Sequence, residues 1–300
     1  MRDLAARLLF VVSTAVLPAQ AIGQTAEQPD AVTRGKYVFD AAGCAACHTD
    51  TENDGPLLGG GRKLDTPFGT FYSPNITADP DHGIGDWSND DFIRALRLGL
   101  DPDGRHFFPV FPYPSYTAMT EADMRDLKAY IFSLPTSDRA NRPHDVTPPF
   151  GWRILIGGWK LLFFDPGEFA PDPAKDGTWN RGAYLVNALG HCGECHTPRN
   201  MFGAVDRGMA LAGTSEGPEG GAVPNITPDP ETGIGDWSAD DLDTLFTLGM
   251  MPDGDFVGSG MADVVNNGTS RLTPEDRAAL IEYLRTLPPI HHAVEAGDDR

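Results

Sequence analysis

The chain has 300 residues and a formal net charge of -20 at pH 7. This length suggests two domains of ordinary size. So acidic a balance argues against a nucleic-acid ligand and favours a basic protein partner over an anionic membrane surface, although acidic charge also serves solubility alone.

The N-terminus predicts a secretory signal peptide over residues 1–21. Arg2 and Arg7 precede an apolar run from Leu8 to Leu17. A small-residue cleavage site, Ala19-Gln20-Ala21, follows the run. An uncleaved anchor is the alternative, but the apolar run is shorter than the roughly 20 residues that a helix needs to cross a bilayer. We therefore expect an exported, periplasmic protein.

A short helix predicted at 34–42 leads into the motif CAACHT, in which Cys44 and Cys47 are followed directly by His48. Cys-x-x-Cys-His is the spacing that lets two thioethers hold a haem while the histidine binds its iron. A redox dithiol or a structural zinc site would also use paired cysteines, but neither gives a reason for the adjacent histidine.

A second motif, CGECHT, places Cys192 and Cys195 before His196, after a helix predicted at 181–189. The two motifs together use all 4 cysteines of the chain. We therefore predict two covalently bound haem c groups, attached at these cysteines. Each iron would take its adjacent histidine, His48 or His196, as the proximal ligand.

The chain also repeats itself outside the motifs. PNITADPDHGIGDWSNDDF at 74–92 and PNITPDPETGIGDWSADDL at 224–242 match at 14 of 19 positions. A period this long indicates duplicated domains rather than a solenoid. We predict one domain at 30–138 and a second at 178–290, joined by a linker at 139–177.

Within each copy the predicted elements are helical. Ser88 and Ser238 are N-cap residues with an acid three positions on, and the last helix of each copy begins at Thr120 or Thr273. Apolar residues at helical spacing give these last helices a buried face. The connecting loops are rich in glycine and proline and show no sustained strand alternation, so the fold is predicted to be all-α.

The order of these motifs resembles the cytochrome c subunits of bacterial membrane-associated alcohol, gluconate and related dehydrogenases. Cys-x-x-Cys-His is followed by PNIT, by GIGDWS and by a terminal helix that ends YIFSLP or YLRTLP. The resemblance covers almost all of the chain after the signal peptide and implies two tandem class I-like cytochrome c domains. Such subunits commonly carry three haems, whereas this chain has motifs for two.

The resemblance also implies a sixth ligand for each iron. Met119, just before Thr120, lies where the family's first domain places its ligand, and Met261 in GMADVV takes that role in the second. A thioether raises the reduction potential and favours electron transfer over oxygen chemistry. Methionine is also a common core filler. The second copy holds four weaker candidates, which are Met201, Met209, Met250 and Met251.

A ligating histidine usually donates its other N–H to an oxygen acceptor. The carbonyl of Pro56 resembles the acceptor found in many cytochromes c, while the second copy has no matching proline. Asn75 and Asn225 lie in Asn-x-Thr sequons that we interpret as part of the fold rather than as glycosylation sites. His191 abuts Cys192 and is not expected to reach across the haem.

One stretch lies outside the repeat, GWRILIGGWKLLFF at 151–164. Its apolar residues follow helical spacing and give a wide apolar face. This linker helix either packs between the two domains or forms an exposed contact surface for a dehydrogenase or for the bilayer interface, which would make the protein peripheral to the inner membrane.

These observations predict an electron-transfer protein and not an enzyme. The donor would be a periplasmic or membrane-associated dehydrogenase, and the acceptor a downstream cytochrome or oxidase. The rival is a dihaem enzyme. A peroxidase needs an open sixth position, which Met119 and Met261 would close, and a thiosulfate-oxidising cytochrome with a cysteine axial ligand would need a fifth cysteine. A haem-bearing sensor is a third alternative.

Overall fold

The computed structural model describes residues 29–217 and 220–294. The predicted signal peptide, residues 1–21, lies outside the described residues. The described part is mostly helical, with a small antiparallel sheet. None of its helices has the length and apolar character that a membrane crossing requires.

The helices form two series in the sequence, separated by one helix. The first series is α1 (Ala31–Ala41), α2 (Cys44–His48), α3 (Asn89–Leu98), α4 (Tyr113–Tyr116) and α5 (Glu121–Ser133). Between the series lies α6 (Arg153–Phe163). The second series is α7 (Gly177–Tyr184), α8 (Gly193–His196), α9 (Ala239–Leu248), α10 (Ser259–Asn267) and α11 (Pro274–Arg285).

The predicted helix starts are present. Ser88 accepts a hydrogen bond from the backbone N–H of Asp91, whose carboxylate accepts the N–H of Ser88 in return. Ser238 and Asp241 form the same capping box at α9. Thr120 and Thr273 cap α5 and α11 through their hydroxyl oxygens. A capping box satisfies orphan N–H groups at a helix start, which is why this short pattern locates one.

In both series the first helix packs closely against the last, and a glycine permits the approach. A Cβ atom built on Gly35 of α1 would lie 1.9 Å from the carbonyl oxygen of Asp126 in α5. On Gly182 of α7 it would lie 2.0 Å from the carbonyl oxygen of Ala279 in α11. Only a residue without a side chain fits at such a contact. The two series therefore repeat the same helix packing.

Apolar residues of both series are buried in one hydrophobic core. Phe39 and Leu127 of the first series pack in the same cluster as Leu185 and Leu280 of the second. Burial of such side chains stabilises a fold by roughly 1.5–3 kcal/mol each. Cys44 and Cys192, the first cysteines of the two motifs, pack against this core.

A three-stranded sheet corrects the all-α prediction. Its strands are β1 (Lys63–Thr66), β2 (Gly69–Tyr72) and β3 (Asp145–Val146), in the order β1-β2-β3 and antiparallel. Lys63 pairs with Tyr72, and Gly69 pairs with Val146. Such short strands show too few residues for alternation to be detected, and β3 comes from the segment predicted as a linker.

Helix α6 lies within the apolar stretch at 151–164. Its inner side chain Ile156 packs with Phe71 and Phe108 in a second, smaller cluster. Trp159 donates a hydrogen bond to the carbonyl of Phe202, so the helix also contacts the second series. Its outer side remains uncovered, with several large apolar side chains exposed, including Ile154, Leu161 and Leu162.

Candidate functional site

Both cysteine motifs open into one continuous cavity of about 2260 Å³. This volume exceeds the roughly 300–1,000 Å³ typical of a pocket for a single small molecule. The motif residues that line it are Cys44, Cys47, His48, Cys192, Cys195 and His196. The structure therefore brings the predicted attachment residues of both motifs to a common space.

Each motif lies on a short helical turn, which places its two cysteines on the same side. The first begins after Gly43, whose left-handed backbone (φ of 62°) redirects the chain. Burial raises the pKa of the Cys44 and Cys192 thiols to about 12.

The two motif histidines make the same hydrogen bond. His48 Nδ1 lies 2.8 Å from the carbonyl oxygen of Pro74, and His196 Nδ1 lies 2.8 Å from that of Pro224. Since a carbonyl can only accept, Nδ1 carries the proton and Nε2 keeps its lone pair for a metal. Burial also lowers the pKa of both histidines, although the proline carbonyls act in the opposite sense. Both rings are set up as neutral ligands.

The prediction that Pro56 supplies the acceptor was wrong. Its carbonyl oxygen instead accepts the backbone N–H of Gly59 at 2.9 Å and closes a local turn. The true acceptors are the first residues of the two PNIT segments. Because PNIT is identical in both copies and follows each motif, this repetition was the signal in the sequence.

The asparagine after each proline holds the acceptor loop in place. Asn75 is 1% exposed and accepts hydrogen bonds from the backbone N–H and the hydroxyl of Thr77. Its amide donates to the carbonyls of Ser137 and Arg139. Asn225 bonds Thr227 in the same way and donates to the carbonyl of Ile290. Both sequons are thus buried structural elements, as interpreted from the sequence.

The two predicted methionines line the cavity in different settings. Met119 is 0% exposed and lies between α4 and α5, directly before the cap of α5. Met261 lies on α10 and is half-buried. The position before the cap of α11 is held by Leu272, which lines the same cavity. Among the other candidates, Met251 also reaches the cavity and Met201 is largely exposed.

The remaining walls are largely apolar and repeat between the series. Trp87 and Trp237, at matching positions of the repeat, both line the cavity. Apolar pairs at matching positions of the repeat are Ile76 with Ile226, Ile84 with Ile234, and Phe92 with Leu242. Such walls exclude water around a bound group and so tune its potential. At each motif, two cysteine sulfurs are available for thioether bonds and a neutral imidazole is available for the iron, which fits a haem c.

The chain resembles known proteins along most of its length. The model of the cytochrome c family matches residues 32–135. A diheme cytochrome c-type protein of Cereibacter sphaeroides is 48% identical over 267 residues, which cover 86% of this chain and 86% of that protein.

Two further relatives are subunits of dehydrogenases. The fructose dehydrogenase cytochrome subunit of Gluconobacter japonicus is 38% identical over 283 residues, covering 94% of this chain and 57% of that protein. The gluconate 2-dehydrogenase cytochrome c subunit of Pantoea cypripedii is 38% identical over 267 residues, covering 85% and 59%. The chain therefore spans less than two thirds of the length of these two subunits.

Proposed function

The chain belongs to the c-type cytochromes, in the group that includes the diheme protein of Cereibacter sphaeroides, and from this premise we propose that it transfers single electrons from a dehydrogenase to a downstream cytochrome or oxidase. The names of its relatives support a dehydrogenase as the donor. In this role the chain is an electron carrier, and no side chain acts as an acid, base or nucleophile.

The proposed organisation is two tandem class I-like cytochrome c domains, at 30–138 and 178–290, with residues 139–177 as the linker. The repeated glycine contact between first and last helices supports it. So do the matching capping boxes and the matching histidine–proline hydrogen bonds. A predicted signal peptide at 1–21 supports a periplasmic location, where haem c is attached.

We assign each domain one covalent haem c. Cys44 and Cys47 would bind the first through thioethers, with His48 and Met119 as iron ligands. Cys192 and Cys195 would bind the second, with His196 and Met261. When bound, the haem supplies a one-electron iron couple. The protein's part is to orient the imidazoles, exclude water and fill the sixth coordination position.

The observation that carries this proposal is the pair of 2.8 Å hydrogen bonds from His48 and His196 to the two proline carbonyls. A histidine with Nδ1 engaged presents only Nε2 to a ligand. Finding that arrangement beside a Cys-x-x-Cys pair, twice in one chain, matches the requirements of a haem c site better than those of a dithiol or a zinc site.

The test uses the exported protein purified with its cofactors. A pyridine haemochrome assay is expected to give two haems per chain. The weak far-red charge-transfer band of methionine-bound ferric haem is expected in the wild type, with about half of it lost in Met119→Ala and in Met261→Ala. Met251→Ala is the matched control, because Met251 lines the same cavity but is not assigned to an iron. It should keep the whole band.

Two results would overturn the assignment. If the wild type lacks the band, or if its ferrous form binds carbon monoxide, one iron has an open sixth position. The dihaem enzyme, with peroxide as the first substrate to test, would then replace the electron carrier as the proposed function.

For the outer side of α6 we propose a peripheral contact with the bilayer surface. Leu161 and Leu162 are exposed there, and Trp152 stands at the start of the helix. Lys160 points inward and donates hydrogen bonds to the carbonyls of Leu98 and Gly99, so the exposed side is left apolar. A short helix with one apolar side suits insertion at the headgroup level rather than a crossing.

A further inference from the structure

The residue directly before the second motif breaks the symmetry of the two series. Gly43 precedes Cys44 with a φ of 62°, and His191 precedes Cys192 with a φ of 39°. Both are left-handed, a backbone conformation that glycine adopts freely and a histidine adopts only with strain. Strain of this kind persists where surrounding contacts enforce it, so His191 is expected to be held in place by its neighbours.

The chain makes room for this histidine by an insertion. The second copy has one residue more than the first between the tyrosine of its first helix, Tyr184, and Cys192, when compared with Tyr37 and Cys44. The extra residue is taken up by a π-helical segment at Leu185–Leu189, which continues α7. Such segments are rare and occur often at functional sites.

His191 leaves its own series and contacts the first. Its ring packs edge-on against the ring of Tyr116, with centroids 5.4 Å apart and planes at 83°. The Tyr116 hydroxyl donates a hydrogen bond of 3.0 Å to the carbonyl of Ala42, two residues before Cys44. Ala42, Tyr116 and His191 thus join the chain before one motif to the chain before the other.

A second contact between the two series lies beside the first. The Ser115 hydroxyl donates a hydrogen bond of 2.7 Å to Glu194, which lies inside the second Cys-x-x-Cys. Arg199 holds the other carboxylate oxygen of Glu194 at 2.5 Å. Adjacent residues of α4 therefore contact this region: Ser115 contacts Glu194 inside the second motif, and Tyr116 contacts His191 directly before it. Tyr116 and His191 also line the cavity itself.

We propose that Tyr116 and His191 are positioning residues that hold the two haem-attachment motifs at one separation and orientation, so that haems bound there form a coupled pair. The proposal rests on the proposed function, because it assumes a haem at each motif. Aromatic edge-to-face packing and a buried hydrogen bond both fix geometry, which is what a constant coupling between two cofactors requires.

The experiment compares the dihaem wild type with His191→Gly and Tyr116→Phe. His191→Gly installs the residue type that the first copy has at this position and relieves the left-handed strain, so the fold should survive. Tyr116→Phe keeps the ring but loses the bond to Ala42. The readouts are the exciton couplet of the two haems in Soret circular dichroism and the separation of the two reduction potentials. His292→Gly is the control, since the His292 ring bonds to the carbonyl of Ala212 and its backbone N–H to Thr232, both in its own series.

We expect His191→Gly to lose most of the Soret couplet and Tyr116→Phe to lose a smaller part, with the control unchanged. The separation between the two reduction potentials should change most in His191→Gly, less in Tyr116→Phe and not at all in the control. If His191→Gly fails to fold, Tyr116→Phe, which keeps its packing, decides the outcome.

A wild type with two haems but no couplet would overturn the inference. So would an unchanged couplet in every variant that folds. Neither result affects the proposed function, which depends on the haem count and on the methionine band. A wild type with fewer than two haems would instead refute the proposed function itself.

Discussion

At the scale of single residues, the orientation of the motif histidine His48 depends on an asparagine, Asn75, that makes no hydrogen bond to it. Replacing Asn75 by alanine removes the acceptor of the Thr77 N–H and the amide donor to the carbonyls of Ser137 and Arg139. We expect a loss of about 2–3 kcal/mol in the free energy of unfolding, measured by urea denaturation.

The same variant should change one reduction potential. With the Pro74 carbonyl less firmly held, His48 becomes a less basic ligand, and the potential of the first haem should rise. A spectroelectrochemical titration measures both haems at once, so the second haem, held through Asn225, is an internal control. Asn225→Ala should give the reverse pattern. Equal shifts of both potentials in either variant would contradict this account.

The sequence predicted the residues of the motifs but not their acceptors. Cys-x-x-Cys-His is local, so its spacing alone indicates which atoms meet the cofactor. Pro74 lies 26 residues after His48, and the two meet only because the intervening loop folds back. Pro56 was the nearer proline, but its carbonyl is used by its own turn.

At the scale of elements, the glycines where first and last helices cross are the most sensitive positions. Gly35→Ala and Gly182→Ala each place a Cβ atom into a backbone carbonyl, so we expect each to destabilise the fold by about 1–3 kcal/mol or more. Gly158→Ala in α6 is the matched control, because nothing lies within 4 Å of a Cβ atom there. It should be neutral or stabilising by about 0.5–1 kcal/mol. Urea denaturation of the three variants tests this, and equal effects would refute it.

Helices with local start signals were predictable, and the sheet was not. Ser88 and Ser238 carry their capping partner three residues on, so the signal lies within one turn. Strand β2 pairs with β3 through Gly69 and Val146, which are distant in sequence, and neither strand has an alternating pattern of its own. The π-helical segment was also missed, because it is visible only as a single extra residue in one copy.

At the scale of the whole molecule, the two series hold each other by reciprocal tyrosine contacts. The Tyr37 hydroxyl donates to Asp276 at 2.5 Å and accepts the N–H of Thr273. The Tyr184 hydroxyl donates to Asp123 at 2.5 Å and accepts the N–H of Thr120. The repeat in the sequence predicted two copies, but not that the first helix of each contacts the last helix of the other. That pairing is the isologous arrangement of a symmetric dimer within one chain.

Removing both hydroxyls should uncouple the two series. Tyr37→Phe and Tyr184→Phe are each expected to cost about 1–2 kcal/mol. We expect one thermal unfolding transition in the wild type and two in the double variant, measured by calorimetry. A single transition in the double variant would show that the shared hydrophobic core alone couples the series.

The contribution of Tyr37 should also depend on pH. Burial alone would raise the pKa of Asp276, but hydrogen bonds from Arg181 and Tyr37 outweigh it and lower that pKa. The stabilisation is therefore present above the unfolded value of about 3.9 and is lost as pH falls through the lower folded value. The destabilisation caused by Tyr37→Phe should be full at neutral pH and should shrink in acid. Urea denaturation across this range tests it, and a pH-independent difference would contradict it.

The outer side of α6 gives a prediction about how the whole molecule meets a surface. Leu161 is 89% exposed, while the inner side of the helix stays anchored by Ile156. Leu161→Glu should therefore leave the fold intact and weaken binding to zwitterionic vesicles by about tenfold, equal to about 1.4 kcal/mol. Leu248→Glu, at a position 63% exposed on α9, is the control and should bind as the wild type does. Vesicle co-sedimentation measures both. Equal binding by the two variants would exclude the bilayer as the contact of α6 and leave a dehydrogenase surface in its place.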